Sequence, residues 1–299
     1  GMDGALALAM GHVVFKEFFV DREVPFFTRY AKTYTDMPFL VTLREHEGAY
    51  TPDRFLTAYD LGEPVEAAEW KTVVMDAVTA QPTVPNGSLG YRWSASGEGH
   101  WNLDLGDIDP QLTLLSSDSE SVEVLLPRFD GPRADVLRRG VPVRRLGDRL
   151  VTTVYDLLLA QYGVARPDLP GEWPAGYDDA SQPYTPAWQE RLTGVPAAVA
   201  ARVAREFARN AEVTEGRSMI IMGSGINHWF NSDMTYRTIM TLLFACGCVG
   251  RNGGGWAHYV GQEKIRPLTG WAMLAGATDW SRPPRQNCGT EWYYLATDQ

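Results

Sequence analysis

One stretch, residues 217–271, constrains the fold more than any other: RSMIIMGSGINHWFNSDMTYRTIMTLLFACGCVGRNGGGWAHYVGQEKIRPLTGW. The short apolar run from Met219 to Met222 reads as a buried strand. It runs into Gly223-Ser224-Gly225-Ile226-Asn227-His228, then a helix-like segment, then a second glycine cluster at Gly253, Gly254 and Gly255. Strand, glycine turn, helix and glycine turn in succession imply an α/β layer architecture. Glycine has no Cβ, so such turns let backbone N–H groups approach a large ligand, a phosphate above all.

The rest of the chain supplies the surroundings. Residues 4–19 carry an apolar stripe (Leu6, Met10, Val13, Val14, Phe18), with Asp3 where an N-cap belongs. A second helix is expected within residues 22–45, followed by an apolar strand bounded by Pro38. Residues 49–149 change character: turn residues recur between Trp-, Tyr- and Val-containing segments, the pattern of a β- and loop-rich insertion. Helical order returns at residues 150–164, and two more helices are expected from residue 184 onward. Val195, Val199, Val203 and Phe207 mark the apolar side of the second of these. Three units follow: 1–48 as the edge of one α/β domain, 49–149 as the insertion, and 150–299 as a second α/β domain.

Composition narrows the functional classes. A net charge of −10 argues against a general nucleic-acid surface. The longest apolar run, near Leu242, is shorter than the roughly 20 residues that span a bilayer. The 3 cysteines make no disulfide framework and could not hold an iron–sulfur cluster. Cys246 and Cys248 lie one residue apart, and the expectation for them is burial as small core residues. No residue here has the spacing of a metal ligand set. The two ends read as internal to a longer polypeptide.

Taken alone, GSGINH is a weak signal. It lacks the third glycine and the placed acid of a dinucleotide fingerprint, and the GK[ST] of a phosphate loop. A tight strand-to-helix turn is an equal alternative, and a nucleotide-binding module of NAD type is another. Asn227 and His228 can add side-chain hydrogen bonds to those of the backbone. The second cluster precedes Trp256, His258 and Tyr259, with Lys264 and Arg266 beyond, a local positive group in an acidic chain.

The segments GINHWFNSDMTYRTIMTLLFACGCVGRNGGGWAHYVGQEKIRPLTGW, GMDGALALAMGHVVFKEF, YTDMPFLV, PNGSLGYRW, LVTTVYDLLLAQYGV and YTPAWQERLTGV together cover nearly the whole chain. In them the sequence resembles the alpha subunits of membrane-bound respiratory nitrate reductases, within the molybdopterin oxidoreductase family of dimethyl sulfoxide reductase type. GGGWAHYVGQEK is the string most specific to those subunits.

The resemblance implies the central part of a catalytic subunit with Rossmann-like elements that hold dinucleotide cofactors. It implies a molybdenum bis(molybdopterin guanine dinucleotide) centre that reduces nitrate to nitrite. It also implies an iron–sulfur beta subunit and a haem-bearing membrane subunit as partners, at the cytoplasmic face of the membrane. Asp3 matches a position that contacts a guanine, and Met2 stands where the family usually has Thr. Gly223, Gly225, Asn227 and His228 match the approach to one dinucleotide, and Gly253, Gly254 and Gly255 a second approach. His258 and Gly261 match positions that line the molybdenum pocket. The family's aspartate ligand to molybdenum and its [4Fe-4S] ligands match nothing in this sequence, so this stretch alone is expected to be inactive.

Overall fold

The computed structural model describes residues 1–86, 104–128, 130–131 and 135–258. Helix α1 (Asp3–Phe15) widens into a π turn over Lys16–Val20 and is followed by α2 (Pro25–Tyr34). The later helices are α3 (Val154–Tyr162), α4 (Pro186–Thr193), α5 (Ala197–Thr214), the single turn α6 (Ser224–Asn227) and α7 (Ser232–Ala245). From Ala7 to Phe15 every residue of α1 is buried, and α3, α4, α5 and α7 pack around it. A helix that is apolar all round belongs in the interior.

Two details of the helices differ from the sequence expectation. Asp3 is the first helical residue rather than the N-cap; Met2 holds that place and no side chain caps the helix. The carboxylate still suits the first turn, where the helix dipole favours negative charge. In α5 the buried face is formed by Ala200, Ala201, Ala204, Ala208 and Ala211, while Val199 and Val203 are 36% and 39% exposed. The alanine side lets α1 and α5 approach closely, and this outweighs the greater hydrophobicity of valine.

Strands β1 (Leu40–His46), β2 (Ala49–Phe55), the short pair β3 (Val74–Met75) and β4 (Pro82–Thr83), β5 (Glu120–Pro127), β6 (Val136–Leu146) and β7 (Arg149–Thr153) follow in the chain. A closed barrel runs in the order β1-β2-β5-β6-β7. Its pairing of Leu40 with Thr153 and Leu43 with Leu150 sets its extent. The barrel therefore begins in the segment assigned to the first unit and ends in the third. It cannot close on residues 49–149 alone. Residues 150–153 are strand, and α3 starts only where the Thr153 hydroxyl accepts the Asp156 amide at 3.0 Å. The β-branched run Val151-Thr152-Thr153 favours the extended state.

Strand β8 (Met219–Met222) passes through α6 and α7 to β9 (Gly255–His258), which pairs with it in parallel. The pair is mixed in exposure. Met222 is buried under α7, whereas Ile221 on the opposite face is 81% exposed. The expected buried strand is thus buried on one face only among the described residues. Cys246 and Cys248 are fully buried, as expected for core residues.

Candidate functional site

The parallel register of β8 and β9 organises the candidate site. Met222 pairs with His258, so the loop that leaves β8 at Gly223 starts beside the carboxyl end of β9. Met219 pairs with Gly255 at the other end. Gly223, Gly225, Asn227, His228 and His258 are therefore brought to one end of the strand pair, the end at which open α/β sheets bind ligands. Asp3 belongs to the same region. A Cβ on Gly1 would lie 2.7 Å from the Trp229 ring, and one on Gly4 would lie 3.1 Å from Thr235 Oγ1, so the start of α1 rests against the start of α7. Asp3 itself is exposed.

Gly253, Gly254 and Gly255 do not join them. The register places 253–255 at the amino end of β9. Those glycines also meet a demand of the fold. A Cβ on Gly254 would sit 2.0 Å from the Gly216 carbonyl oxygen and 2.8 Å from that of Cys248. Gly253 and Gly255 adopt φ of 85° and 87°, where side chains are strained. Gly223 and Gly225 are the opposite case. Among the described residues nothing lies within 4 Å of a Cβ on either, and Gly223 has an ordinary extended φ of −119°. The fold leaves room for a side chain there that the sequence does not supply.

Among the described residues, two buried polar atoms near this end have no hydrogen-bond partner, Asn227 Oδ1 and Trp256 Nε1. Buried polar groups are nearly always paired, so an acceptor and a donor without partners fit a polar ligand supplied from outside. His258 packs within a ring cluster. Its Nε2 lies 2.8 Å from the Tyr236 hydroxyl, and its ring centroid is 5.3 Å from Trp256 and 5.6 Å from Tyr236. Tyr236 was not legible in the sequence as a site residue; position 236 reads there as one more ring on a helix. Gly261, Tyr259, Lys264 and Arg266 lie outside the described residues.

A cleft of about 620 Å³ lies elsewhere, lined among others by Glu23, Lys32, Thr113, Arg144 and Arg145. Two of its cations face acids, Lys32 Nζ 2.6 Å from Asp109 and Arg145 4.0 Å from Glu120, while Arg144 Nη1 lies 3.5 Å from Met75 Sδ. None of the expected site residues lines it. Among the described residues no group of His, Cys, Asp and Glu is arranged to hold a metal ion, and no helix is long and apolar enough to cross a membrane.

The family model for molybdopterin oxidoreductases matches residues 1–297. The chain belongs to that family. It is 55% identical to the nitrate reductase alpha subunit of Mycobacterium tuberculosis, with all of this chain and 25% of that protein covered. It is 46% identical to respiratory nitrate reductase 1 alpha chain of Escherichia coli, over all of this chain and 26% of that protein. A more distant relative is the perchlorate reductase alpha subunit of Dechloromonas aromatica, 29% identical over 92% of this chain and 24% of that protein. The chain thus spans about a quarter of the length of the curated relatives it matches.

Proposed function

We propose that this chain is part of the catalytic subunit of a respiratory nitrate reductase, and that it forms one side of the cradle for a molybdenum bis(molybdopterin guanine dinucleotide) centre. The observation that carries this reading is the loop after β8. Among the described residues nothing stands where a Cβ on Gly223 or Gly225 would point, and beside them the buried Asn227 Oδ1 has no donor. This suits a bulky group whose polar edge the loop closes upon.

When bound, the molybdenum centre supplies the two-electron oxygen-atom transfer that turns nitrate into nitrite; the protein supplies position and electrostatics. Asp3 can accept from the ring N–H and the amino group of a guanine. Gly223 and Gly225 give the backbone its close approach, Asn227 accepts from the cofactor, and the exposed His228 lies beside it. His258, with Gly261 three residues on, faces the oxyanion, where an imidazole N–H can donate to a nitrate oxygen. Gly253, Gly254 and Gly255 would act on the cofactor only through β9, whose start they form. An iron–sulfur beta subunit, a haem-bearing membrane subunit, a [4Fe-4S] cluster held elsewhere in the subunit and a place at the cytoplasmic membrane face complete the proposal. The close similarity to nitrate reductase alpha subunits supports nitrate over perchlorate, and the family match argues against an NAD-type module.

The test is the full-length protein with its partners. Purified enzyme is expected to contain molybdenum and to reduce nitrate much faster than perchlorate. Asn227→Leu, which keeps the bulk and removes the acceptor, is expected to lower molybdenum content. A molybdenum-free wild type, or full loading of the leucine variant, would refute the assignment of this loop.

A further inference from the structure

Helix α7 presents Ile239 and Leu243 to the core, and Tyr236 lies three and seven residues before them on the same face. That face lies over β9, where Trp256 and His258 alternate with Ala257 and so point to the same side of the sheet. The result is three rings in mutual contact: Tyr236 to Trp256 at 5.2 Å, Tyr236 to His258 at 5.6 Å and Trp256 to His258 at 5.3 Å between centroids. Packing of this kind fixes the tilt of the imidazole. The hydroxyl 2.8 Å from Nε2 fixes its rotation about the ring axis.

We propose that Tyr236 is a positioning residue for His258: its hydroxyl engages Nε2 and commits Nδ1 as the nitrogen that serves an oxyanion beyond the carboxyl end of β9. The inference rests on the functional reading above and adds to it a residue that does not touch the substrate. A histidine has two ring nitrogens, and the partner of one decides what the other can do. A phenol donates to a neutral imidazole and accepts from a protonated one, so the contact survives both charge states. Burial raises the Tyr236 pKa, which keeps the phenol neutral and able to do either. A phenylalanine preserves the ring contacts and removes only the hydroxyl, so the two roles of the side chain separate cleanly.

The experiment uses the full-length subunit in its complex, as wild type, Tyr236→Phe, His258→Ala and the double variant. Each is measured for molybdenum content, for kcat and KM on nitrate, and for the Mo(V) electron paramagnetic resonance signal. Tyr236→Phe is expected to load molybdenum fully and to lose about 10-fold in kcat with little change in KM, within the range for one hydrogen-bonded acid–base group. Its Mo(V) signal should differ from that of the wild type. In the His258→Ala background the second substitution should change kcat by less than about twofold, because a residue that acts through another has no effect once that one is gone. Three results would overturn the assignment. One is a loaded Tyr236→Phe enzyme with wild-type kcat and signal. Another is an equal loss from Tyr236→Phe in both backgrounds, and the third is loss of molybdenum from Tyr236→Phe, which would make the hydroxyl a purely structural support. A wild type without molybdenum or nitrate reduction would overturn the functional reading itself, and this assignment with it.

Discussion

Gly254→Ala and Gly223→Ala form a matched pair whose outcomes should be opposite. The alanine methyl at position 254 would lie 2.0 Å from the Gly216 carbonyl oxygen and 2.8 Å from the Cys248 carbonyl oxygen. Neither obstacle is a side chain that can swing aside. Gly216 is tied by its amide to the Ala211 carbonyl at 2.7 Å, and the amide of Gly255 is tied to the Ser218 carbonyl at 3.0 Å. Overpacking costs about 1–3 kcal/mol where neighbours can adjust; with backbone on both sides the expected loss is at the upper end, about 3 kcal/mol. A domain of 150–250 residues loses roughly 2–4 °C per kcal/mol, so in the larger full-length protein the midpoint of the transition that contains this turn should fall by up to about 6 °C.

At position 223 none of the described residues lies within 4 Å of the added methyl, and the backbone is in an ordinary region. Stability should stay within about 0.5 kcal/mol of wild type, while molybdenum content and nitrate turnover fall. Calorimetric melting and metal analysis of the full-length protein decide the matter. If Gly254→Ala melts like wild type, the close packing at that turn is wrong. If Gly223→Ala keeps both cofactor and activity, the open space in front of it is not where the ligand sits.

Other expectations follow from buried charge. His12 is buried, its Nδ1–H donating to the Tyr162 carbonyl at 2.7 Å, and burial lowers its pKa to about 4. Because the unfolded chain binds the proton more readily, stability should be complete above about pH 6.5 and decline as pH falls toward 4, by about 3 kcal/mol in all. Urea unfolding at pH 7 and 4.5 should show this slope in wild type and a shallower one in His12→Gln; equal slopes would refute it. Arg139, fully buried, donates to the carbonyls of Ala160, Gln161, Glu172 and Pro183 at 2.7–3.1 Å. Arg139→Met leaves these acceptors dry and should cost roughly 2–5 kcal/mol in chemical denaturation; a neutral result would mean that water replaces the guanidinium. Asp156 pairs with the buried Arg166 and also accepts from Thr113, Thr153 and the Leu114 amide. Asp156→Asn should cost roughly 3–5 kcal/mol by leaving a buried cation without its partner, and an unchanged melting midpoint would show that Arg166 is solvated.

What the sequence revealed and what it hid divide along one physical line. Periodicity exposed α1, α4, α5 and β8, because an apolar stripe or run records burial directly. It misjudged the face of α5, since alanine is weakly hydrophobic yet packs more closely than valine. Turn residues showed that the middle of the chain is β-rich, but not that β1 and β7 close its barrel, because pairing across 113 positions leaves no local mark (Leu40 with Thr153). The buried Arg139 and the Tyr236 hydroxyl were invisible for a related reason: each is defined by partners distant in the chain. The glycines make the point most sharply. In the sequence Gly223, Gly225 and 253–255 look alike, as places where backbone comes close to something. In the structure that something is identifiable for Gly254, where it is the chain's own Gly216 and Cys248 carbonyls. For Gly223 and Gly225 the described residues offer no such neighbour, so the constraint on them must come from outside these atoms. Among the described residues Asn227 Oδ1 has no donor, so the group we propose at this loop is one that presents a donor and is large enough to fill the space two side chains would take.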